Sequence, residues 1–262
     1  MRSTTQGGPN IVLENLIFYL DAANPESLFQ GSTNWRNLEK YPTYDITLFN
    51  DAKYVNTNKG AVRFDGTSDY GFRTFTSGDL YDINLTGEIT LDVWIKWDNI
   101  LRTLESGVAF GLPFGNNTSG HFQWQFNKLN NGAGKFRSFF AVSNLTNSYS
   151  INQIQDDGFF LPNTPIQNNK WFNFTYTYKF SNGNIIGYVN GENAGGVVLG
   201  TNPSSLQIPT ASFRRLNIGA DSSNSGQRSM LGDIAIVKIY NRVLTSDEVL
   251  QNFNAHKLRF GY

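Results

Sequence analysis

Between Leu231 and Lys257 the chain reads LGDIAIVKIYNRVLTSDEVLQNFNAHK, and no other stretch restricts the fold so tightly. Ile234, Ile236, Lys238 and Tyr240 alternate with Ala235, Val237 and Ile239, so a strand here is largely apolar on both faces. Such a strand belongs in the middle of a sheet and under cover. Thr245, followed three residues later by Glu248, forms a capping box, and Leu244 and Val249 occupy the positions of a hydrophobic staple. The pattern predicts a short helix from Thr245. Its Val249, Leu250, Phe253 and Leu258 recur at roughly helical spacing, with Gln251, Asn252 and Asn254 facing outward. A surface helix laid on a β body is expected, with His256 near its C-terminal end, where an imidazolium suits the dipole.

Upstream, the period is almost everywhere two. Phe172, Phe174, Tyr176, Tyr178 and Phe180 alternate with Trp171, Asn173, Thr175, Thr177 and Lys179. Ile89, Leu91, Val93 and Ile95 alternate with Glu88, Thr90, Asp92, Trp94 and Lys96, and Phe122, Trp124 and Phe126 with His121, Gln123, Gln125 and Asn127. These read as half-buried antiparallel strands. Asn190-Gly191 marks a type I′ hairpin, which needs positive φ at both central residues. Long polar stretches from Asn144 to Asn169 and from Asp221 to Ser229 are loops of the kind that carry recognition surfaces.

With 39% hydrophobic and 15% aromatic residues, among them 21 Phe and 12 Tyr, the chain can bury a substantial core. Its formal net charge of zero, without any Lys or Arg run, argues against nucleic acid and anionic membranes as partners. No cysteine is present to form a disulfide or to bind a metal as thiolate. The polar start MRSTTQGGPN lacks the apolar core of a secretory signal, so synthesis and folding in a cytoplasm are expected. Residues 1–10 read as a disordered arm or as a tether onto a neighbouring protein, and residues 11–262 as one domain.

Catalytic patterns are sparse. A glycosidase needs two carboxylates flanking the scissile bond. The nearest candidates, Glu88 and Asp92, lie four residues apart on one strand face, about 13 Å at ~3.3 Å per residue, too far for either known geometry. No nucleophile elbow, phosphate-binding loop or zinc spacing occurs. Trp94 and Trp171 fall on the polar side of their strands by parity, as do His121, Gln123 and Gln125. Either a loop covers the two tryptophans or they stack on a ligand or partner, and these five residues are the candidates for glycan or partner contact.

The closing strand and helix resemble those of laminin-G-like, concanavalin A-like lectin domains, particularly the divergent versions in virion proteins of tailed bacteriophages. Phe18 to Pro25 (FYLDAANP), Val62 to Tyr70 (VRFDGTSDY), Ile89 to Lys96 (ITLDVWIK) and Tyr188 to Glu192 (YVNGE) match in the same order. The resemblance covers the chain from about Ile11 onward. It implies an all-β fold, a jelly-roll sandwich of two antiparallel sheets with a short C-terminal helix. It further implies a non-enzymatic virion structural protein, made in the host cytoplasm, that contacts other virion proteins and glycans and assembles as a homo-oligomer. A free carbohydrate-binding adhesin is the alternative, and a divergent glycosidase a third reading.

Relatives of this kind bind calcium at the sandwich rim, and the oxygen ligands implied here are Asp21, Asp65, Asp69 and Asp233. Otherwise no cofactor is expected. The family's closing strand carries an acidic residue where this chain has Ala235 or Ile236, which removes one ligand. Asp65-Gly66-Thr67-Ser68-Asp69 also reads simply as an Asx-rich turn. The family keeps a tryptophan at the position of Trp94 whatever the ligand, which favours a structural role there.

Overall fold

The period-two segments form two antiparallel sheets packed face to face, a jelly-roll sandwich closed by one short C-terminal helix. The computed structural model describes residues 10–39, 44–75, 88–99, 104–111, 123–130, 136–143, 166–179, 181–182, 184–198, 214–220 and 229–262. Of these, 74–75, 104–111, 123–130, 136–143, 197–198 and 214–215 are described by backbone alone. The expected arm, residues 1–10, lies outside the described residues except for Asn10.

The first sheet runs in the order β13 (Glu192–Val198), β12 (Asn184–Val189), β11 (Trp171–Lys179), β7 (Glu88–Trp97), β15 (Leu231–Tyr240), β5 (Ala61–Asp65) and β4 (Lys53–Val55). β1 (Leu16–Asp21) also pairs with β15. The second sheet runs β10 (Phe136–Ser143), β9 (Gln123–Asn130), β8 (Leu104–Gly111), β14 (Arg214–Ile218), β6 (Tyr70–Phe75), β3 (Ile46–Phe49) and β2 (Asn34–Trp35).

Leu91, Val93 and Ile95 of β7, with Phe172, Phe174, Tyr176 and Tyr178 of β11, fill the space between the sheets, where they meet Ile46, Leu48, Leu216 and Ile218. Burying each such aliphatic or phenyl side chain contributes roughly 1.5–3 kcal/mol. The opposite faces of β7 and β11 are not solvated, as half-buried strands would be. Trp94, Asn173, Thr175 and Thr177 are buried there as well, because the C-terminal segment packs over that side.

β15 is central, yet its alternation breaks at Ala235. The register with β7 shifts between Ile234 and Ile236, so Ile234 points into the sandwich while Ala235 and Ile236 both lie on the outer side. The Ala235 carbonyl accepts from the Ala22 N–H at 3.0 Å, which ties the bulge to the end of β1. Gly232 makes β15 fit against β7: its φ is +155°, and a Cβ there would stand 2.0 Å from the Lys96 carbonyl oxygen.

Helix α1 (Ser246–His256) has the expected capping box: the Thr245 hydroxyl accepts from the Glu248 N–H at 3.3 Å, and Glu248 accepts from the Thr245 N–H at 2.9 Å. Leu244 and Val249 share one cluster, as a staple requires. The buried face, however, is Val249, Asn252, Phe253 and His256. Asn252 is fully buried because its side chain accepts from the Val12 N–H at 2.9 Å and donates to the Tyr240 hydroxyl at 3.0 Å. Leu258 is 79% exposed, since the helix ends at His256 and a 3-10 turn over Lys257–Arg259 delivers Phe260 to the sheet instead. The β12–β13 hairpin turns at Asn190 and Gly191 with φ of +53° and +80°, as the sequence predicts.

Candidate functional site

The outer side of the first sheet is where sequence parity places Trp94 and Trp171. Trp94 has no exposed surface: Phe260 stacks on it at 4.1 Å and 16°, and Phe253 at 5.6 Å and 11°. Trp171 donates from Nε1 to Asn58 at 2.9 Å, and the Tyr262 hydroxyl donates to its carbonyl at 2.6 Å. Neither is a free platform for a ligand, because the chain's last residues roof both. Phe253, Phe260 and Tyr262 were the available sequence signal.

Beneath the same roof lies a layer of charge. Lys238 donates to Asp92 at 3.1 Å, both side chains being wholly enclosed, and Asn173 donates to the same Asp92 oxygen at 3.0 Å. Glu88, the other acid of the conceivable glycosidase pair, is held 2.8 Å from Lys179 and accepts from the Val243 N–H. Burial pushes the Glu88 carboxyl up, but these partners carry it below the usual carboxylate range. Asp92 and Glu88 therefore face no common cleft. His256 is not an imidazolium capping the helix: burial, with the Lys238 charge nearby, depresses it to about 3, so the neutral ring is what packs.

The four aspartates implied as calcium ligands do not form a set. Burial pushes Asp21 up, but the Arg259 guanidinium at 2.6 Å outweighs it, with help from the Ala23 N–H, and its carboxyl is lowered. Asp233 is paired with Arg63 at 3.3 Å and with Lys96 at 2.5 Å. Asp65 accepts from the backbone N–H groups of Thr67, Ser68 and Asp69 and from the Thr67 hydroxyl. Burial raises its carboxyl, yet those donors bring it down to about 2, and Asp69 is spent on the N–H groups of Asp51 and Asp65. Among the described residues no three His, Cys, Asp or Glu side chains are grouped to hold a metal ion. The donors already engaged, cations and N–H groups, do not fit a calcium ion.

The outer side of the second sheet is different in kind. Phe49 of β3 pairs across the strands with Tyr70 of β6, and Phe72 lies two residues on. Their rings are nearly parallel, with centroids 5.1 Å apart for Phe49 and Tyr70, 4.9 Å for Phe49 and Phe72, and 5.9 Å for Tyr70 and Phe72. All three are partly exposed. Gly71 between them permits this: on the inner side a Cβ would stand 2.8 Å from Ile46, so the core fills that space and the aromatic bulk goes outside.

Pairing extends the row through the backbone. Phe72 is opposite Asn217, which is buried, Asn217 opposite Ala109, Ala109 opposite Gln125. One row further along, Gln123 is opposite Gly111, and Gly111 opposite Arg215. Two of the predicted contact residues, Gln123 and Gln125, thus share this sheet with the aromatic cluster, not the sheet that carries the two tryptophans. His121 lies outside the described residues. Phe49 and Phe72 carry no joint sequence signal because no motif spans strands distant in sequence, although the Tyr-Gly-Phe alternation at 70–72 is visible.

A family model described as the concanavalin A-like lectin/glucanases superfamily matches residues 65–250. No curated protein matches the chain. Solved structures do. A Trypanosoma rangeli sialidase in complex with 2,3-difluorosialic acid, a covalent intermediate, is 15% identical with a TM-score of 0.61, covering 100% of this chain and 36% of that one. The same organism's sialidase in complex with sialic acid is 13% identical, TM-score 0.60, covering 98% and 37%. The receptor-binding domain of botulinum neurotoxin C/D mosaic serotype is 14% identical, TM-score 0.56, covering 92% and 51%. The chain thus spans about a third of the sialidases and half of the neurotoxin domain, and at such identity the likeness is one of fold.

These matches correct two expectations. A non-enzymatic virion component was the reading carried by the resemblance, and the structures found are sialidases with bound sugar derivatives and a toxin's receptor-binding domain. The exclusion of an enzymatic role falls with it, since sialidase chains contain this fold.

Proposed function

We propose a carbohydrate-engaging role within glycoside processing for this chain, which belongs to the concanavalin A-like lectin/glucanases superfamily. The observation that carries the reading is the cross-strand cluster on the outer side of the second sheet, where the partly exposed rings of Phe49, Tyr70 and Phe72 stack on one another. Partly exposed ring surface suits a sugar, which offers C–H faces to stack on. The sialic acid and difluorosialic acid in the matched sialidases make sialosides the first class to test. Because the chain spans 36% of such a sialidase, its part in hydrolysis is proposed as engagement of the glycan on which the reaction operates.

The experiment is a glycan array carrying sialylated and neutral oligosaccharides, run beside an assay for released sialic acid. Retention of sialylated glycans that is lost in Tyr70→Ala supports the reading. Failure to retain or cleave any glycan rejects it.

A further inference from the structure

Lys238, Asp92 and Asn173 stand on three adjacent strands, β15, β7 and β11, with Asp92 in the middle. Lys238 and Asp92 are directly paired in register, and Asn173 is opposite Trp94, one step along β7 on the side that Asp92 shares through Thr175. One carboxylate oxygen, Asp92 Oδ1, accepts both from Lys238 Nζ at 3.1 Å and from Asn173 Nδ2 at 3.0 Å. Lys238 and Asp92 have no exposed surface and Asn173 1%. Among the described residues Asp92 Oδ2 and Asn173 Oδ1 find no hydrogen-bond partner. Two groups are thereby left open: a carboxylate oxygen able to take a proton, and an amide carbonyl oxygen able to receive one.

An amine, an amide and a carboxylate gathered in a site closed to water are the components of an amide exchange. We propose that Lys238 and Asn173 join in an intramolecular isopeptide bond, with Asp92 as the acid and base. Lys238 Nζ passes one proton to Asp92 and becomes a free amine. Its lone pair forms the new N–C bond at Asn173 Cγ, the carbonyl electron pair moves onto Oδ1, and Asp92, which contacts Nδ2, hands its proton to that leaving nitrogen and takes one back from Lys238 Nζ. The tetrahedral centre then collapses: the C=O re-forms, the bond from Cγ to Nδ2 breaks, and ammonia leaves.

The balance closes without a co-reactant. Of the three ammonium protons, one stays on the new amide nitrogen, one completes the ammonia, and one remains on the Asp92 carboxyl. Nothing is oxidised or reduced. The bond would tie β15 to β11 across β7, a covalent brace in a chain that has no cysteine.

Intact-protein mass spectrometry of the folded chain tests this. The expected mass is about 17 Da below that of the linear sequence, one ammonia lost, and digestion should yield a branched peptide joining the segments around Lys238 and Asn173. Cyclisation at Asn190-Gly191 would remove the same mass but gives no branched peptide, so branching is the deciding readout. Lys238→Met and Asp92→Asn should each restore the linear mass. Because either variant can fail to fold, the wild-type branched peptide stands as the independent measurement. A folded wild-type chain with the linear mass, or one without the branched peptide, overturns the proposal; a branched peptide persisting in folded Asp92→Asn overturns the role of Asp92.

Discussion

Phe260 lies 4.1 Å over Trp94 with the rings 16° from parallel, so the segment after α1 is part of the core that covers the first sheet. Replacing Phe260 by Ala should destabilise the fold by about 3–5 kcal/mol, the usual loss for a large aromatic removed from a packed site. Chemical denaturation monitored by tryptophan fluorescence checks it, and a red-shifted native spectrum is expected as Trp94 loses its cover. An unchanged midpoint would mean that the tail does not hold the sheet.

Asn252 joins the N-terminal segment ahead of β1 to β15, through Val12 and Tyr240. Asn252→Leu removes both hydrogen bonds and leaves the buried Val12 N–H unpaired, so a loss of about 1–3 kcal/mol is expected. Asn252→Ala, with a cavity added, should cost at least as much in the same unfolding experiment.

Acid should weaken the fold from an unusually high pH. His256 is held neutral, with its folded value near 3 against about 6.5 for an unfolded histidine. The unfolded state therefore binds one more proton between those values, and stability falls as pH drops from about 6.5 towards 3, by at most about 1.4 kcal/mol per unit from this group. Asp21, lowered in the fold, adds its own loss below about pH 4, as pH falls through its folded value. His256→Gln should flatten the upper part of that decline, between pH 6.5 and 4, in thermal melts taken across the range. A decline of wild-type slope in the variant would assign it to other groups.

The backbone plan was legible because local chemistry and long-range packing agree on it. The capping box at Thr245 and Glu248, the Asn190-Gly191 turn and the alternating aromatics of β11 each state their structure within a few residues. What sequence period could not reveal was a change of phase. One extra residue at Ala235 moves Ile234 to the inner face, and two long-range hydrogen bonds turn Asn252, polar by type, into the buried side of α1. The candidate site was harder still. Trp94 and Trp171 are exposed by parity alone and become core only because residues 253–262 fold back over them, whereas Phe49, Phe72 and Asn217 meet only through pairing of β3, β6 and β14.

Outer-face substitutions should separate binding from stability. Phe49→Ser and Tyr70→Ala each remove partly exposed ring surface, and melting temperatures should shift far less than for Phe260→Ala, since only half-buried area is lost. Calorimetric melts of the three variants side by side provide the comparison.

The central claim, that glycans are engaged by the outer side of the second sheet, is tested most directly by titrating the folded protein with a sialylated trisaccharide and with its unsialylated parent, in wild type and in Tyr70→Ala. Saturable binding of the sialoside, weakened about tenfold or more in the variant (about 1.4 kcal/mol) while its melting temperature holds, is the predicted result. Binding of equal strength in both proteins, or no saturable binding of either sugar, would contradict it.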